Sequence, residues 1–288
     1  MREYKLYTDS TCDLPDDIIK RFGITVVPTE VYLATDRYLD FPDERELKKQ
    51  EFFETIQRGI LPSTAVIPPA RFYEYFLKAA QQGYDILYIV FSSGLTTTKQ
   101  NALIASEDIK ETYKDCNIII IDSLSASLGE GFLVYCAANL MQQGKTIFEV
   151  KEAIESIRQK LCVWFTVDDL QQLKRGGRIS AAAAAVGGAL NIKPMIFIDG
   201  EGRLVLVERV RGRKVALDSL VNKVRTGAVN PAGQSLFIVH ANCSDDCEYL
   251  KHQIEQSMQF KEIITGMMGP VIGAHTGAGA IGLAFLGE

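Results

Sequence analysis

Two nearly continuous apolar runs, Asp85-Ile86-Leu87-Tyr88-Ile89-Val90-Phe91 and Asn117-Ile118-Ile119-Ile120-Ile121, constrain this chain more than any other feature. They lack the in-and-out alternation of a strand with one wet face, and each is too short for a buried helix, so both read as strands covered on two sides. Helices must then supply the covering layers. Further strands are expected at Tyr4 to Thr8 and Thr25 to Tyr32, with charged amphipathic stretches between them. Such alternation is that of a parallel sheet with helices on both faces.

The pattern changes after a helical region from Leu128 to Lys160, broken at Gly144, which leads to Val163-Trp164-Phe165-Thr166-Val167. Beyond it, Lys193 to Ile198 and Arg203 to Glu208 flank Asp199-Gly200-Glu201-Gly202, a hairpin signal. Strands are expected at Ser235 to His240, Glu262 to Met267 and Ala280 to Leu286, and helices at Arg213 to Arg225 and Asp245 to Met258. The small residues from Ser180 to Val186 suit a tightly packed helix. The expected fold class is α/β in two domains. Residues 1–161 form a parallel sheet flanked by helices, and residues 162–288 an α+β domain with a mainly antiparallel sheet, the 60–72 loop being a candidate contact between them.

Composition closes off several function classes. With 288 residues, 47% hydrophobic, the chain can bury a sizeable core. A net charge of -5 offers no excess of positive charge to a phosphate backbone, so nucleic acid is not expected as the main partner. Cys12, Cys116, Cys136, Cys162, Cys243 and Cys247 follow no paired-ligand spacing, as expected of reduced thiols in a cytoplasmic protein without a metal. The start, Met1 to Tyr7, has no apolar core of a signal peptide, and no apolar run reaches membrane-spanning length.

Polar groups gather where the first-domain strands end: Thr8-Asp9-Ser10-Thr11, Ser92-Ser93-Gly94-Leu95 and Asp122-Ser123. Ligands of open α/β sheets bind outside these carboxyl ends. The serines of the middle segment, with free amides at a helix start, could hold an anion, or Ser92 and Ser93 could simply cap that helix. Asp9 and Asp122 are better read as caps and members of a buried hydrogen-bond network than as a metal or acid–base pair. The loop Pro62-Ser63-Thr64-Ala65-Val66-Ile67-Pro68-Pro69 is stiffened by its prolines and carries Thr64 into apolar surroundings before a helix near Ala70. Arg175 and Arg178 sit on a Gly-punctuated turn whose guanidinium forks suit carboxylates and phosphates. Near the end, Gly269 to Ala280 sets His275 among glycines and small aliphatics. That segment reads equally well as a Gly-rich edge strand and turn or as a ligand site. A hydrolase built on Ser93 and His275 is the alternative, although no G-x-S-x-G elbow surrounds Ser93.

Taken in order, Thr8-Asp9-Ser10-Thr11-Cys12-Asp13-Leu14-Pro15, Thr64 in its proline loop, Ser92-Ser93-Gly94-Leu95, Leu173-Lys174-Arg175-Gly176-Gly177-Arg178-Ile179, Asn191-Ile192-Lys193-Pro194 and His275-Thr276-Gly277 resemble the DegV family of bacterial fatty-acid-binding proteins. The resemblance implies a long-chain acyl group in a tunnel at and behind the domain interface. It implies that Thr64 and Ser93 hydrogen-bond the carboxylate, with His275 beside it, Gly94 giving backbone, and Ser92 and Thr276 as neighbours. It further implies a carrier with no cofactor, which is not itself an enzyme. Such a carrier presents its acid through the Arg175 to Arg178 turn to an ATP-dependent fatty acid kinase subunit, which makes acyl phosphate for phospholipid synthesis. The chain departs from the family pattern at Ala65-Val66-Ile67, where Ser-Gln-Pro is usual, at Thr96-Thr97-Thr98, where Ser-Gly-Thr is usual, and at Ala278, where proline is common.

Overall fold

The computed structural model describes residues 2–168, 170–180 and 191–288. In the first half, β1 (Tyr4–Asp9), α1 (Asp16–Phe22), β2 (Thr25–Val27), β3 (Glu30–Leu33), β4 (Asp36–Leu39), α2 (Lys49–Gln57), β5 (Ser63–Ala65) and α3 (Pro69–Gln81) precede β6 (Asp85–Val90), α4 (Thr98–Thr112), β7 (Ile118–Asp122), α5 (Leu128–Gln142) and α6 (Ile147–Gln159). The second half runs β8 (Leu161–Thr166), α7 (Gln171–Arg175), β9 (Ile192–Ile198), β10 (Leu204–Arg211), α8 (Arg213–Gly227), β11 (Ser235–His240), α9 (Ser244–Glu255), β12 (Glu262–Met267), α10 (Pro270–Thr276) and β13 (Ile281–Leu286). The helix expected on the small-residue run lies, from Ala181 onward, outside the described residues.

The first sheet has the order β2-β1-β6-β7, with every pairing parallel. All six residues of β6 are buried, as a strand covered on both faces must be. The strand expected from Thr25 to Tyr32 is split. Pro28 has no N–H to give a ladder, and Thr29 donates its own to Ser10 Oγ at 3.1 Å. After this break β3 joins a separate antiparallel sheet, β4-β3-β5, whose third strand comes from the proline loop.

The second sheet has the order β10-β9-β8-β13-β11-β12, antiparallel throughout except for β11 with β12. At the tip of the β9–β10 hairpin, Asp199 Oδ1 accepts the amides of Glu201 and Arg203, both at 2.9 Å. Gly202 turns the chain there with φ 73°.

Helix α5 is apolar on all sides because it lies between the sheets, touching β1 and β6 on one and β8, β11 and β13 on the other. Its ring of Phe132 packs on Phe237 at 5.2 Å. Two glycines allow this close approach: a Cβ at Gly129 would stand 2.6 Å from Val163 Cγ2, and one at Gly131 2.5 Å from the Cys12 carbonyl. One hydrophobic cluster therefore runs from Leu6 to Ala284. The division expected at 161/162 falls inside β8, where the core is continuous.

Candidate functional site

A cavity lies where the strand ends of the first sheet meet the second sheet. Its volume is about 1020 Å³ including the part open to solvent, and its walls are mainly apolar. Phe91, Ala126 and Leu128 line it from the first half of the chain, Phe165, Ile198 and Leu283 from the second. Thr64, Thr96, Arg178, His275 and Thr276 supply polar atoms.

His275 reaches this cavity on α10. The bland expectation of an edge strand and turn for Gly269 to Ala280 is overturned here: Gly269 caps the helix, Pro270 occupies its first turn, and Gly277 stops it at φ 77°. Proline's fixed φ and missing N–H suit a helix start. Gly273 brings the helix against α2, since a Cβ there would be 2.7 Å from Phe53 and 2.8 Å from Phe52.

At the end of α10, His275 Nε2 lies 2.9 Å from Thr64 Oγ1. Thr64 is held by β5, paired opposite Val31 of β3. The other ring nitrogen, Nδ1, faces Gly176, where the turn after α7 leaves no room for a side chain. Burial, and then the charge of Arg178, push His275 down to about 4. The imidazole is thus neutral near pH 7. With its proton on Nε2, Thr64 Oγ1 accepts it and keeps its own hydroxyl proton for a ligand. The unfolded chain binds a proton here more readily than the folded one, so this histidine withdraws stability as pH falls from 6.5 through about 4.

The Ser92 to Leu95 segment differs from its expected form. Helix α4 starts only at Thr98, so these residues make a turn and not a helix start. Its amides are engaged: Ser93 N–H donates to Asp122 Oδ1 at 3.2 Å, Gly94 N–H to Ser92 Oγ at 3.1 Å, and Leu95 N–H to the Ser92 carbonyl at 3.1 Å. Ser92 Oγ in turn donates to the Gly202 carbonyl at 2.8 Å. Ser93 and Gly94 are exposed, and neither is among the residues lining the cavity, whereas Leu95, Thr96 and Thr98 are. Gly94 instead abuts the β9–β10 hairpin, where a Cβ would stand 2.6 Å from the Glu201 carbonyl. Ser93 and His275 share no hydrogen bond among the described residues, so the dyad of the hydrolase alternative is not formed.

Thr276 is buried and donates to the Ile272 carbonyl at 3.0 Å. The arginine turn is two-sided: Arg175 is exposed at the end of α7, while Arg178 is half-buried and lines the cavity.

Asp9 and Asp122 tie the strand ends together. Asp9 accepts Thr11 N–H at 3.0 Å, Phe91 N–H at 3.2 Å and the Tyr88 hydroxyl at 2.9 Å. Asp122 accepts Leu124 N–H at 3.0 Å as well as Ser93 N–H. Sequence reasoning missed Glu130, fully buried on α5 between the hydroxyls of Thr8 and Thr11, each at 2.9 Å. Thr11 also bonds Asp9, and its single proton cannot serve both acids. Burial, and then the charge of Asp9, push Glu130 well above the usual carboxylate range, and burial raises Asp9 as well. A lone acid in Gly129-Glu130-Gly131, amid an apolar helix, was its only trace in the sequence. No cluster of three or more His, Cys, Asp or Glu able to hold a metal is found among the described residues.

Comparison with known proteins agrees with this architecture. A family model described as "Uncharacterised protein, DegV family" matches residues 3–288. The chain belongs to the DegV family. A DegV domain-containing protein of Clostridium perfringens is 40% identical over 288 residues, covering 100% of this chain and 99% of its own length. A DegV family protein of Thermus thermophilus, described for its fatty acid binding, superposes with TM-score 0.89 at 30% identity and full coverage of both chains. The Fatty Acid Kinase (Fak) B3 protein of Streptococcus pneumoniae, loaded with linoleic acid, has the same fold, with TM-score 0.85 at 22% identity over 99% of this chain and 100% of its own. The two-domain α/β fold is that of DegV structures. No described helix is long and apolar enough to cross a membrane.

Proposed function

We propose that this DegV protein binds a long-chain fatty acid with its carboxylate at Thr64 and His275. The observation that carries the reading is the apolar cavity between the sheets, whose polar atoms include the Thr64–His275 pair and Arg178. Burying about fifteen methylenes at about 0.8 kcal/mol each gives a gross gain on the order of 10 kcal/mol before association costs. Apolar burial can dominate affinity, provided the carboxylate meets donors when it leaves water. A threonine hydroxyl freed by a neutral imidazole, with a guanidinium nearby, is such a set. The fatty-acid binding described for the Thermus thermophilus neighbour supports the assignment. Ser93 and Gly94 have less support as head-group contacts, because their turn faces the hairpin.

In this reading the chain is a cytoplasmic carrier and not itself an enzyme. It hands the acid to a separate ATP-dependent kinase subunit, which makes acyl phosphate for phospholipid synthesis, in line with the kinase association named for the Streptococcus pneumoniae neighbour. Exposed Arg175, beside Arg178 of the cavity wall, is the proposed docking point for that subunit. The test is acyl-phosphate formation from ATP by a purified bacterial fatty acid kinase subunit mixed with the loaded chain. Arg175→Glu is expected to reduce the rate at least about tenfold, the loss of one interfacial charge pair, while bound acid is unchanged. A loaded wild-type chain that supports no acyl-phosphate formation contradicts the carrier role.

A further inference from the structure

His275 meets Thr64 only because α10 is set at one register, and the groups that set it lie at the other end of the helix. Asp13, at φ 51° after the short turn that follows β1, accepts Gly269 N–H at 2.7 Å and the Ser127 hydroxyl at 2.5 Å. Asp40, just beyond β4, accepts Val271 N–H at 3.5 Å. The two carboxylates flank Gly269 so closely that a Cβ there would be 2.9 Å from Asp13 Oδ1 and 3.0 Å from Asp40 Oδ2. Buried Lys49 of α2 donates to the Met267 carbonyl at 3.1 Å, and its charge acts on both acids. All three side chains come from the first half of the chain and grip the segment leading into α10. Gly273, wedged on Phe52 and Phe53, gives the seven-residue rod a bearing midway along its length of about 10 Å.

We infer that Asp13 and Asp40 are positioning residues: by holding the Gly269 and Val271 amides they fix α10 so that His275 stands against Thr64. What that pair does for a ligand rests on the proposed fatty-acid reading. Its placement does not.

The arrangement carries a pH signature distinct from that of His275. Burial, opposed by Lys49, pushes Asp13 up to about 6; burial and then the charge of Asp13 push Asp40 up to about 7. The other charged groups acting here are Glu44, whose Oε2 accepts Lys49 N–H at 3.0 Å, Asp9, and half-buried His240, lowered by its own burial and then by Lys49. With folded values raised, these acids add stability below the ordinary range and lose it as pH rises through about 6 to 7. His275, at about 4, does not titrate in that window.

The test uses the full chain with nitrogen-labelled histidine. In the ligand-free protein the His275 Nε2 resonance is expected to move between about pH 5.5 and about pH 8 in wild type, and in Asp40→Asn, which keeps the shape and an acceptor oxygen, to lose the upper part of that movement and keep only the step near 6 that belongs to Asp13. In the second arm, Asp13→Ala weakens binding of oleate about tenfold, and Asp13→Ala with Thr64→Val loses no more than Thr64→Val alone, as residues acting through one contact should. A wild-type resonance that stays flat, the same pH response in Asp40→Asn, or additive losses overturn the inference. If Asp13→Ala does not fold, the Asp40→Asn comparison decides. A chain that binds no oleate yet shows the predicted resonance behaviour refutes the fatty-acid reading and leaves the positioning role standing.

Discussion

Phe132→Ala is expected to destabilise the chain by about 3–5 kcal/mol and to lower its melting temperature by roughly 10 °C. The size of the effect follows from where α5 lies. Phe132 is 2% exposed, and its ring meets Phe237 at 5.2 Å across the second sheet while the helix also contacts β1 and β6 of the first. Truncation removes the transfer free energy of a buried ring and leaves a hole that two rigid sheets cannot close by moving independently. Urea unfolding at constant slope measures the loss. A cost below about 1 kcal/mol, the usual range for surface substitutions, contradicts the placement of α5 between the sheets.

The second large effect concerns the head group. Thr64→Val keeps a β-branched shape in β5 but removes the hydroxyl that faces His275 Nε2. A hydrogen bond to a charged group contributes about 1.5–3 kcal/mol, so fatty-acid affinity is expected to fall about 10- to 100-fold. Stability should change little, since Thr64 is only half-buried. Displacement of a fluorescent fatty acid reads the affinity. Unchanged affinity in Thr64→Val puts the carboxylate elsewhere in the cavity.

The parts of the fold written in local periodicity were legible beforehand. The apolar runs became β6 and β7, although only β6 is central and β7 lies at the sheet's edge with Ile119 and Ile120 half-buried, and Asp199 to Gly202 became the turn between β9 and β10. What depends on partners distant in sequence was not. A glycine- and alanine-rich stretch has no hydrophobic period to separate helix from strand, so α10 was decided by Pro270 and by its contacts with α2 and β5. Likewise the apolar character of α5 announced burial but not that both of its sides face sheets. At the site, the sequence sets Thr64 in a proline-stiffened loop and His275 among small residues 211 positions later, and the structure brings the two into contact. Ser93 was placed by its position after a strand. Which way the turn after β6 points is set by Ser92 bonding Gly202, more than a hundred residues away.

The cavity between the sheets is proposed to hold a long-chain fatty acid. Solvent extraction of the purified protein followed by mass spectrometry tests it most directly, with oleate offered to any chain that emerges empty. The expected result is a long-chain acid in stoichiometric amount, either carried through purification or taken up on exposure, and lost when Thr64→Val is combined with His275→Phe. A chain that carries no such acid and takes up none, or that holds a short polar anion in its place, contradicts it.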